Sequence, residues 1–338
     1  MAVPEFPSPA PSVADPAGTR AVLLALVCGE AVSGRALAQG LGVSRTAVWK
    51  QIGRLREAGV DIEAQAGSGY RLAAPLELLD ADALRARLAP STRVRLGDLA
   101  VHWQLDSTSS ELRRRAEHDP RDQLACFAEM QSAGRGRRGR HWRMPLGGGI
   151  ALSLLKRFDT AMASLAGLSL AVGVAAADAL ADCGVAEVGL KWPNDLVARD
   201  AKLGGILIEL GGDALGPCHA IVGIGINVRL GAARAAIDQP VVDLAGLAPG
   251  LSRPRFAACL LDHLVAALDR FAREGFAPFA DAFAQRDVLR GRAIEVLQGD
   301  ARRRGVALGI DARGALRVDF GGRVETVDGG EVSVRAGA

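Results

Sequence analysis

The amino-acid sequence predicts an α+β protein of three parts, because its hydrophobic pattern changes twice along the chain. At 338 residues the chain is too long for one small core. Helical spacing dominates residues 20–72, and helices alternate with strands from about 90 to 285. Strands outnumber crossover helices in that middle segment, which favours a mixed sheet over a regular parallel one. Period-two strands then indicate a small all-β, barrel-like module. The expected divisions are 1–18 (a disordered tail), 19–74, 75–286 and 287–338.

Composition limits the classes of protein that the chain can belong to. A net charge of +3 excludes a polycation, so any nucleic-acid surface must be local. The five cysteines are scattered without a C-x-x-C pair, which indicates reduced thiols in a reducing, cytoplasmic compartment. No H-x-x-x-H spacing occurs, and no protein-built metal site is expected. The uncharged stretch 160–177 is predicted to be a buried helix and not a membrane span.

The first segment has the element order of a winged helix-turn-helix. Ser33 and Ser44 are each placed to cap a helix, and a hairpin with a glycine turn follows near 60–72. The third helix is expected to bury the residues spaced i, i+4 and i+7, namely Val48, Ile52 and Leu55.

The opposite face of that third helix is basic. A basic helix followed by a wing is an electrostatic footprint for duplex DNA. A small helical oligomerisation or docking module is the alternative, and the charges argue against it. The predicted DNA-binding residues are Arg45, Thr46, Trp49, Lys50 and Arg54.

Residues 134–140, Gly-Arg-Gly-Arg-Arg-Gly-Arg, form a segment that we name the arginine–glycine loop. Glycine lets the backbone approach a ligand closely, and arginine supplies planar donors that match phosphate or carboxylate oxygens. About fifty residues later, Lys191 precedes Trp-Pro-Asn-Asp, where Pro193 favours an extended backbone before a turn. The two segments together predict a site for an anionic small molecule. An RNA-binding run is the alternative for the loop.

One nucleotide-binding motif is only partly present in the sequence, and a second is absent. Gly223-Ile-Gly-Ile-Asn227 follows an apolar strand but lacks the third glycine and the helix of a dinucleotide fold. No G-x-x-x-x-G-K-[ST] sequence occurs, so the chain is not a P-loop protein. We expect the glycines at 223 and 225 to lie against a flat ligand.

Five motifs stand in the order found in biotin–protein ligases, and the chain resembles that family from residue 20 onwards. They are 106–108 (Asp-Ser-Thr), 131–140 (Gln-Ser-Ala and the arginine–glycine loop), 191–196 (Lys-Trp-Pro-Asn-Asp-Leu), 202–209 (Lys-Leu-Gly-Gly-Ile-Leu-Ile-Glu) and 225–227 (Gly-Ile-Asn). The winged module makes the chain similar to the bifunctional bacterial type, which is both a ligase and the biotin operon repressor. The resemblance implies a class II synthetase-like catalytic domain and a C-terminal SH3-like barrel.

The resemblance also implies roles for individual residues. Lys191 and Arg137 would be catalytic. The implied biotin-binding residues are Ser107, Thr108, Ser109, Gln131, Arg135, Gly136, Arg137, Lys191, Gly204, Gly205, Gly223 and Gly225. The implied nucleotide-binding residues are Arg135, Arg137, Arg138, Lys191, Asn194 and Asn227. Ser109 stands where the family often has asparagine.

The implied reaction condenses biotin with Mg²⁺-ATP to biotinyl-5′-AMP and then biotinylates a lysine of a carboxyl-carrier protein. Operator DNA and a ligand-promoted homodimer are further implied partners, and no membrane is expected. We expect biotin to order the arginine–glycine loop, because its like charges repel one another. A lipoate or octanoyl transferase-like protein and a repressor with an inactive enzymatic centre are the alternatives.

Overall fold

The structure is a computed structural model of the chain. It describes residues 16–65, 67–298, 301–329 and 332–336. These form a helical N-terminal unit, a central domain on a seven-stranded sheet, and a C-terminal five-stranded sheet.

The N-terminal unit has the predicted helix, helix, helix, hairpin order. Its elements are α1 (Pro16–Leu26), α2 (Gly34–Leu41), α3 (Arg45–Glu57), β1 (Ile62–Gln65) and β2 (Gly69–Leu72). The Ser33 and Ser44 hydroxyls accept hydrogen bonds from the backbone N–H groups of Ala36 and Ala47, both at 3.1 Å, as N-caps do. Val48, Ile52 and Leu55 are buried as expected.

The prediction of a disordered tail over 1–18 is wrong for its last three residues. Residues 16–18 belong to α1, whose Thr19 hydroxyl donates a 2.5 Å hydrogen bond to Oε1 of Gln51 on α3. Residues 1–15 lie outside the described residues.

The connection to the central domain also differs from expectation. The sequence predicts one helix over 76–88, whereas the structure has α4 (Ala81–Arg87) followed by α5 (Pro90–Arg95). Asp80 caps α4 by accepting a 2.9 Å hydrogen bond from Ala83 N–H. Leu79 N–H instead donates to the Glu129 carboxylate of the central sheet at 2.5 Å, which holds the preceding residues outside the helix.

The central sheet is mixed, as predicted. Its strands are β3 (Asp98–Leu105), β4 (Leu124–Gln131), β5 (Gly149–Phe158), β6 (Gly189–Lys191), β7 (Asp195–Ala198), β8 (Ala201–Gly212) and β9 (Cys218–Asn227). Their order is β3-β4-β5-β9-β8-β7-β6, in which β3 and β4 are parallel and the other pairs antiparallel. Buried aliphatic side chains from β4, β5 and β9 face the helices and make the main core.

Helices cover the sheet. They are α6 (Thr108–Ala116), α7 (Leu168–Asp182), α8 (Leu244–Leu247), α9 (Arg253–Glu274) and α10 (Ala280–Arg286). The predicted buried helix begins later than expected, because a 3₁₀ turn at Met162–Leu165 and Gly167, with φ of 80°, precede α7. Met162–Asp182 is the one helical stretch in the described chain with the length and apolarity to cross a membrane. Its most apolar window is 67% buried inside the protein, where α7 packs against α9 and the sheet, so α7 is a core helix.

The C-terminal sheet is antiparallel. Its strands are β10 (Ala293–Gln298), β11 (Ala301–Ile310), β12 (Leu316–Asp319), β13 (Val324–Val327) and β14 (Val332–Ala336), in the order β13-β12-β11-β10-β14. This five-stranded sheet confirms the predicted all-β C-terminal module. We also expect a glycine turn at 299–300 from the sequence, but these two residues lie outside the described residues.

The N-terminal unit lies directly on the central domain. Met130 and Leu146 of the central domain belong to the same buried cluster as the helices of the N-terminal unit. Leu146 N–H donates a 2.9 Å hydrogen bond to the carbonyl of Ala58, which follows α3. At Gly59, with φ of 86°, an added Cβ would lie 2.6 Å from Cβ of Pro145, so only glycine fits this close approach.

A buried ion pair joins the linker, the sheet and α9. Arg253 and Glu129 lie 2.8 Å apart, and each side chain is only 3% exposed. Arg253 also donates to the carbonyls of Gly149 (2.9 Å) and Glu77 (2.8 Å). Removing one member of such a pair leaves the other charge buried and unpaired.

We therefore expect Arg253→Met to lower the free energy of unfolding by about 3–5 kcal/mol, because Glu129 then loses its charged partner. Chemical denaturation measures this change. Arg255→Met is the matched control, since Arg255 is exposed on the same helix, and it should change stability by less than about 0.5 kcal/mol. Equal effects of the two substitutions would contradict the role of the pair.

Candidate active site

A cavity of about 1330 Å³ lies on the face of the central sheet. Its walls come from α6, from strands β5 to β9, and from the chain that follows β4. The arginine–glycine loop and the Lys191 segment both line it, as the sequence analysis predicts for a shared site.

One wall of the cavity is polar and uncharged. The Gln131 side-chain oxygen accepts hydrogen bonds from Thr108 N–H (2.8 Å) and the Thr108 hydroxyl (3.2 Å). The Ser153 hydroxyl lies 2.8 Å from the Thr108 hydroxyl and 2.9 Å from that of Ser109. Ser107 precedes α6, but its hydroxyl does not cap the helix. These buried groups form a fixed array of hydrogen-bond donors and acceptors.

Asp106 holds the start of this wall in place. Its carboxylate accepts two hydrogen bonds from Arg114, at 2.8 and 3.0 Å, and one from Ser107 N–H at 2.7 Å. The Arg114 guanidinium lowers the pKa of Asp106, so the carboxylate is ionised at neutral pH. Asp106 therefore positions Ser107 at the head of α6.

The arginine–glycine loop folds back on itself as a tight turn. Gly136 N–H donates to the Arg140 carbonyl at 2.7 Å, and Trp142 N–H donates to the Gly134 carbonyl at 2.9 Å. Arg138 has φ of 58°, in the left-handed region, and its side chain is exposed. The loop thus presents arginines on both arms of one turn at the cavity.

Two of these arginines are held by other parts of the protein. Arg135 forms a 2.9 Å ion pair with Glu209 on β8, and its Nε is buried without a hydrogen-bond partner among the described residues. Arg137 donates to Oδ1 of Asn194 at 3.3 Å and to the carbonyl of Gly329 in the C-terminal domain. Burial, together with nearby arginines, lowers the pKa of Arg137, whereas Asp195 raises it. Arg137 is charged at neutral pH.

Lys191 ends β6 and also lines the cavity. Its carbonyl accepts a 3.1 Å hydrogen bond from Asn194 N–H across a turn that contains the cis Trp192–Pro193 bond. Asn194 also donates to the Ile206 carbonyl at 2.9 Å, so its amide fixes the turn and the position of Arg137. Lys202 forms a 2.6 Å ion pair with Asp195 in the same wall.

The cavity is strongly cationic. Among the described lining residues the acidic side chains are Glu187, Asp195, Asp200 and Asp238. The basic ones are Arg135, Arg137, Arg138, Arg140, Arg143, Lys191, Arg199, Lys202 and Arg292. Such an excess of positive charge favours an anionic ligand.

The predicted glycines do not all face this cavity. Gly205, Gly223 and Gly225 line it, but Gly204 does not. Successive residues of a strand face opposite sides, and a Cβ on Gly204 would lie 2.6 Å from the Gly225 carbonyl on β9. Gly204 therefore serves the contact between two strands, and its predicted ligand role stays a prediction.

Gly225 makes room for Trp142. A Cβ on Gly225 would lie 2.4 Å from Cε2 of that indole, whose Nε1 is buried without a hydrogen-bond partner among the described residues. Asn227 also lines the cavity, but its side-chain N–H groups donate to the carbonyls of Lys202 (3.3 Å) and Val242 (3.1 Å). Asn227 therefore holds the cavity wall through its amide.

Comparison with known proteins supplies the family. Residues 103–227 match the profile described as "Biotin/lipoate A/B protein ligase family", 21–71 an HTH domain, and 290–335 the "Biotin protein ligase C terminal domain". The chain is 38% identical to the bifunctional ligase/repressor BirA of Salmonella typhimurium over 312 residues, which are 92% of this chain and 95% of that protein. The BirA of Bacillus subtilis is 30% identical over 298 residues, covering 86% and 90%. The chain belongs to the biotin protein ligase family.

A solved structure agrees with this assignment. The biotin protein ligase from Aquifex aeolicus in complex with biotin and ATP superposes with a TM-score of 0.62 at 26% identity, covering 72% of this chain and 100% of that one. The predicted family and the predicted α+β fold class are thus confirmed. The ligand roles of individual residues in this biotin protein ligase stay predictions.

Ser153, Trp142 and Lys202 are among the cavity residues that are absent from the predicted set. Ser153 is the one polar residue inside the apolar run 150–155, which was a usable signal. Trp142 follows the arginine–glycine loop, and Lys202 opens the Lys-Leu-Gly-Gly motif. Their direction towards the cavity depends on how the loop and strands meet, which sequence spacing does not determine.

We expect Gly225→Ala to weaken biotin binding by at least about tenfold, because the new methyl group and the Trp142 indole cannot occupy the same space. Calorimetric titration with biotin measures this. Gly40→Ala is the control, because a Cβ there meets no atom within 4 Å. If Gly225→Ala binds biotin with unchanged affinity, Trp142 is not part of the biotin-binding site.

Proposed function

We propose that this cavity activates biotin with ATP and transfers it to a lysine of a biotin carboxyl-carrier protein. The observation that carries the proposal is one cavity with a neutral hydrogen-bonding wall and a cationic loop. Biotin carries a group that matches each of them: a neutral ureido ring for the wall and a carboxylate for the loop. The related ligase/repressor proteins and the ligase complex with biotin and ATP support the same assignment.

We infer that the uncharged wall holds the ureido ring. Ser107, Thr108, Ser109 and Gln131 offer fixed donors and acceptors, and Ser153 connects two of their hydroxyls. Buried polar groups of this kind discriminate well, because a ligand that lacks a matching group leaves them unpaired. Trp142 Nε1 and Arg135 Nε are buried donors at the cavity whose missing partners a ligand can supply.

Adenylation brings two anions together. A biotin carboxylate oxygen attacks the α-phosphorus of ATP, a P–O bond forms, and the bond to the β-phosphate breaks to release pyrophosphate. We assign Lys191 and Arg137 to the charge that builds on the α-phosphate, with Arg135, Gly136 and Arg138 around the carboxylate and phosphates. Mg²⁺ arrives with ATP and neutralises the leaving pyrophosphate. Asn194 acts by positioning Arg137, with which it is hydrogen-bonded.

The second step needs no further cofactor. The carrier lysine, as a free amine, attacks the acyl carbon of biotinyl-5′-AMP and forms an amide bond. The bond from that carbon to the phosphate oxygen breaks, AMP leaves, and the amine proton passes to water. The same cations that stabilised the adenylate then stabilise the departing AMP. The reaction depends on position and electrostatics more than on acid–base groups.

We expect Lys191→Ala to slow biotin-dependent exchange of pyrophosphate into ATP by about 10–100-fold or more, because a charge-assisted bond to a phosphate oxygen contributes about 1.5–3 kcal/mol. Radiolabelled pyrophosphate measures the exchange directly. Lys50→Ala is the control, since Lys50 is exposed on α3 and outside the cavity.

Two outcomes would overturn the proposal. Exchange driven by lipoate instead of biotin would favour a lipoate ligase. No exchange with the unmodified chain would favour a ligand-sensing repressor without enzymatic turnover.

We propose that the N-terminal unit makes the ligase a biotin-responsive repressor. Arg45, Thr46, Trp49 and Lys50 are exposed on one side of α3, and Trp49 is 65% exposed. Arg54 is half-buried and donates to Gln51 at 3.2 Å, so its guanidinium is oriented by the helix itself. A homodimer promoted by ligand would present two such helices to a palindromic operator.

We expect Lys50→Ala to weaken operator binding and to reduce the slope of log affinity against log salt concentration by about 1, because one phosphate contact is lost. Fluorescence anisotropy over a salt series, with biotin and ATP present, measures both. Arg302→Ala is the control, because it removes one exposed positive charge from the C-terminal sheet. Identical slopes for the two variants would exclude Lys50 from the DNA interface.

A further inference from the structure

A cluster of metal-ligating side chains lies where the C-terminal end of α7 meets α9. Helix α7 ends at Asp182, and Cys183 follows it. Cys259 and His263 lie one turn apart on α9 and therefore on the same face of that helix. None of these four residues lines the active-site cavity.

The donor atoms are close together. His263 Nε2 lies 2.9 Å from Oδ2 of Asp182. The donor atoms of Asp182, Cys259 and His263 all lie within 4.8 Å of one another. The Cys259 thiol donates to the Ala179 carbonyl of α7 at 3.6 Å. In a tetrahedral zinc site with bonds of about 2.0–2.3 Å, ligand atoms are about 3.3–3.8 Å apart. Small side-chain rotations therefore suffice to close the set around an ion.

The cluster also has an open side. Asp182 is exposed, with 67% of its side chain accessible, whereas Cys259 and His263 are partly buried against the helices. An ion can therefore enter from solvent at Asp182 and bind the sulfur and imidazole beneath it. Thiolate and imidazole ligands suit zinc and similar thiophilic ions, and they are poor ligands for Mg²⁺ or Ca²⁺.

We propose that Asp182, Cys259 and His263 form a binding site for a thiophilic divalent cation of the zinc class. The ion would cross-link α7 to α9 and stabilise the main core. The site is separate from the proposed ligase reaction. It would overturn the sequence expectation of no protein-built metal site. A Cys-x-x-x-His spacing at 259–263 is present in the sequence, but its partners lie about eighty residues earlier.

The test titrates the metal-free, reduced full chain with Co²⁺, whose thiolate complexes absorb in the near ultraviolet. One Co²⁺ per chain should bind with a thiolate charge-transfer band that added Zn²⁺ removes. Cys259→Ser should abolish the band, and His263→Gln should weaken binding by at least about tenfold. Cys28→Ser is the matched control, because Cys28 is an exposed cysteine in the N-terminal unit, and it should bind Co²⁺ as the unmodified chain does.

Three results would overturn the proposal. The reduced chain could take up no Co²⁺ at one equivalent. Binding could be unaffected by both His263→Gln and Cys259→Ser, which would place the metal elsewhere. The pair Cys183 and Cys259 could form a disulfide in air while the reduced chain binds nothing, which would make it a redox pair. His263→Gln alters a partly exposed side chain, so it stays informative if Cys259→Ser misfolds.

Discussion

The buried ion pair between Arg253 and Glu129 is the interaction on which the arrangement of this protein depends. Glu129 lies on β4, two residues before the Gln131 side chain that faces the cavity. Arg253 begins α9 and donates to Gly149 at the start of β5. Glu129 also accepts the Leu79 N–H of the linker at 2.5 Å. One pair of opposite charges, withdrawn from water, therefore fixes two site strands, a core helix and the connection to the N-terminal unit.

A second set of contacts connects the cavity to the residues that follow α3. Trp142 lines the cavity, and three residues later Pro145 lies under Gly59. Leu146 is hydrogen-bonded to Ala58, directly after α3. The segment that carries the arginine–glycine loop is thus also part of the interface between the two units. The C-terminal domain touches the same loop, since Arg137 donates to the Gly329 carbonyl.

Local sequence signals predicted the elements well where the interactions are local. Serine caps and i, i+4, i+7 spacing define α2 and α3. The prediction of one helix over 76–88 was wrong, because Leu79 N–H bonds to Glu129 on a distant strand. Gly204 likewise packs against a residue distant in the chain, since its neighbour is the Gly225 carbonyl on β9. Such competition from residues far away in the chain has no local sequence signature.

Residue type, spacing and motif order were enough to predict the family, the three-part α+β fold and fourteen of the residues that line the cavity. Which side chains face one another became known from the three-dimensional structure. It paired Arg135 with Glu209, placed Ser153 and Trp142 in the cavity wall, and brought Asp182 to Cys259 and His263. The physical reason is that strand register and helix packing set these distances, and both are determined by the whole core.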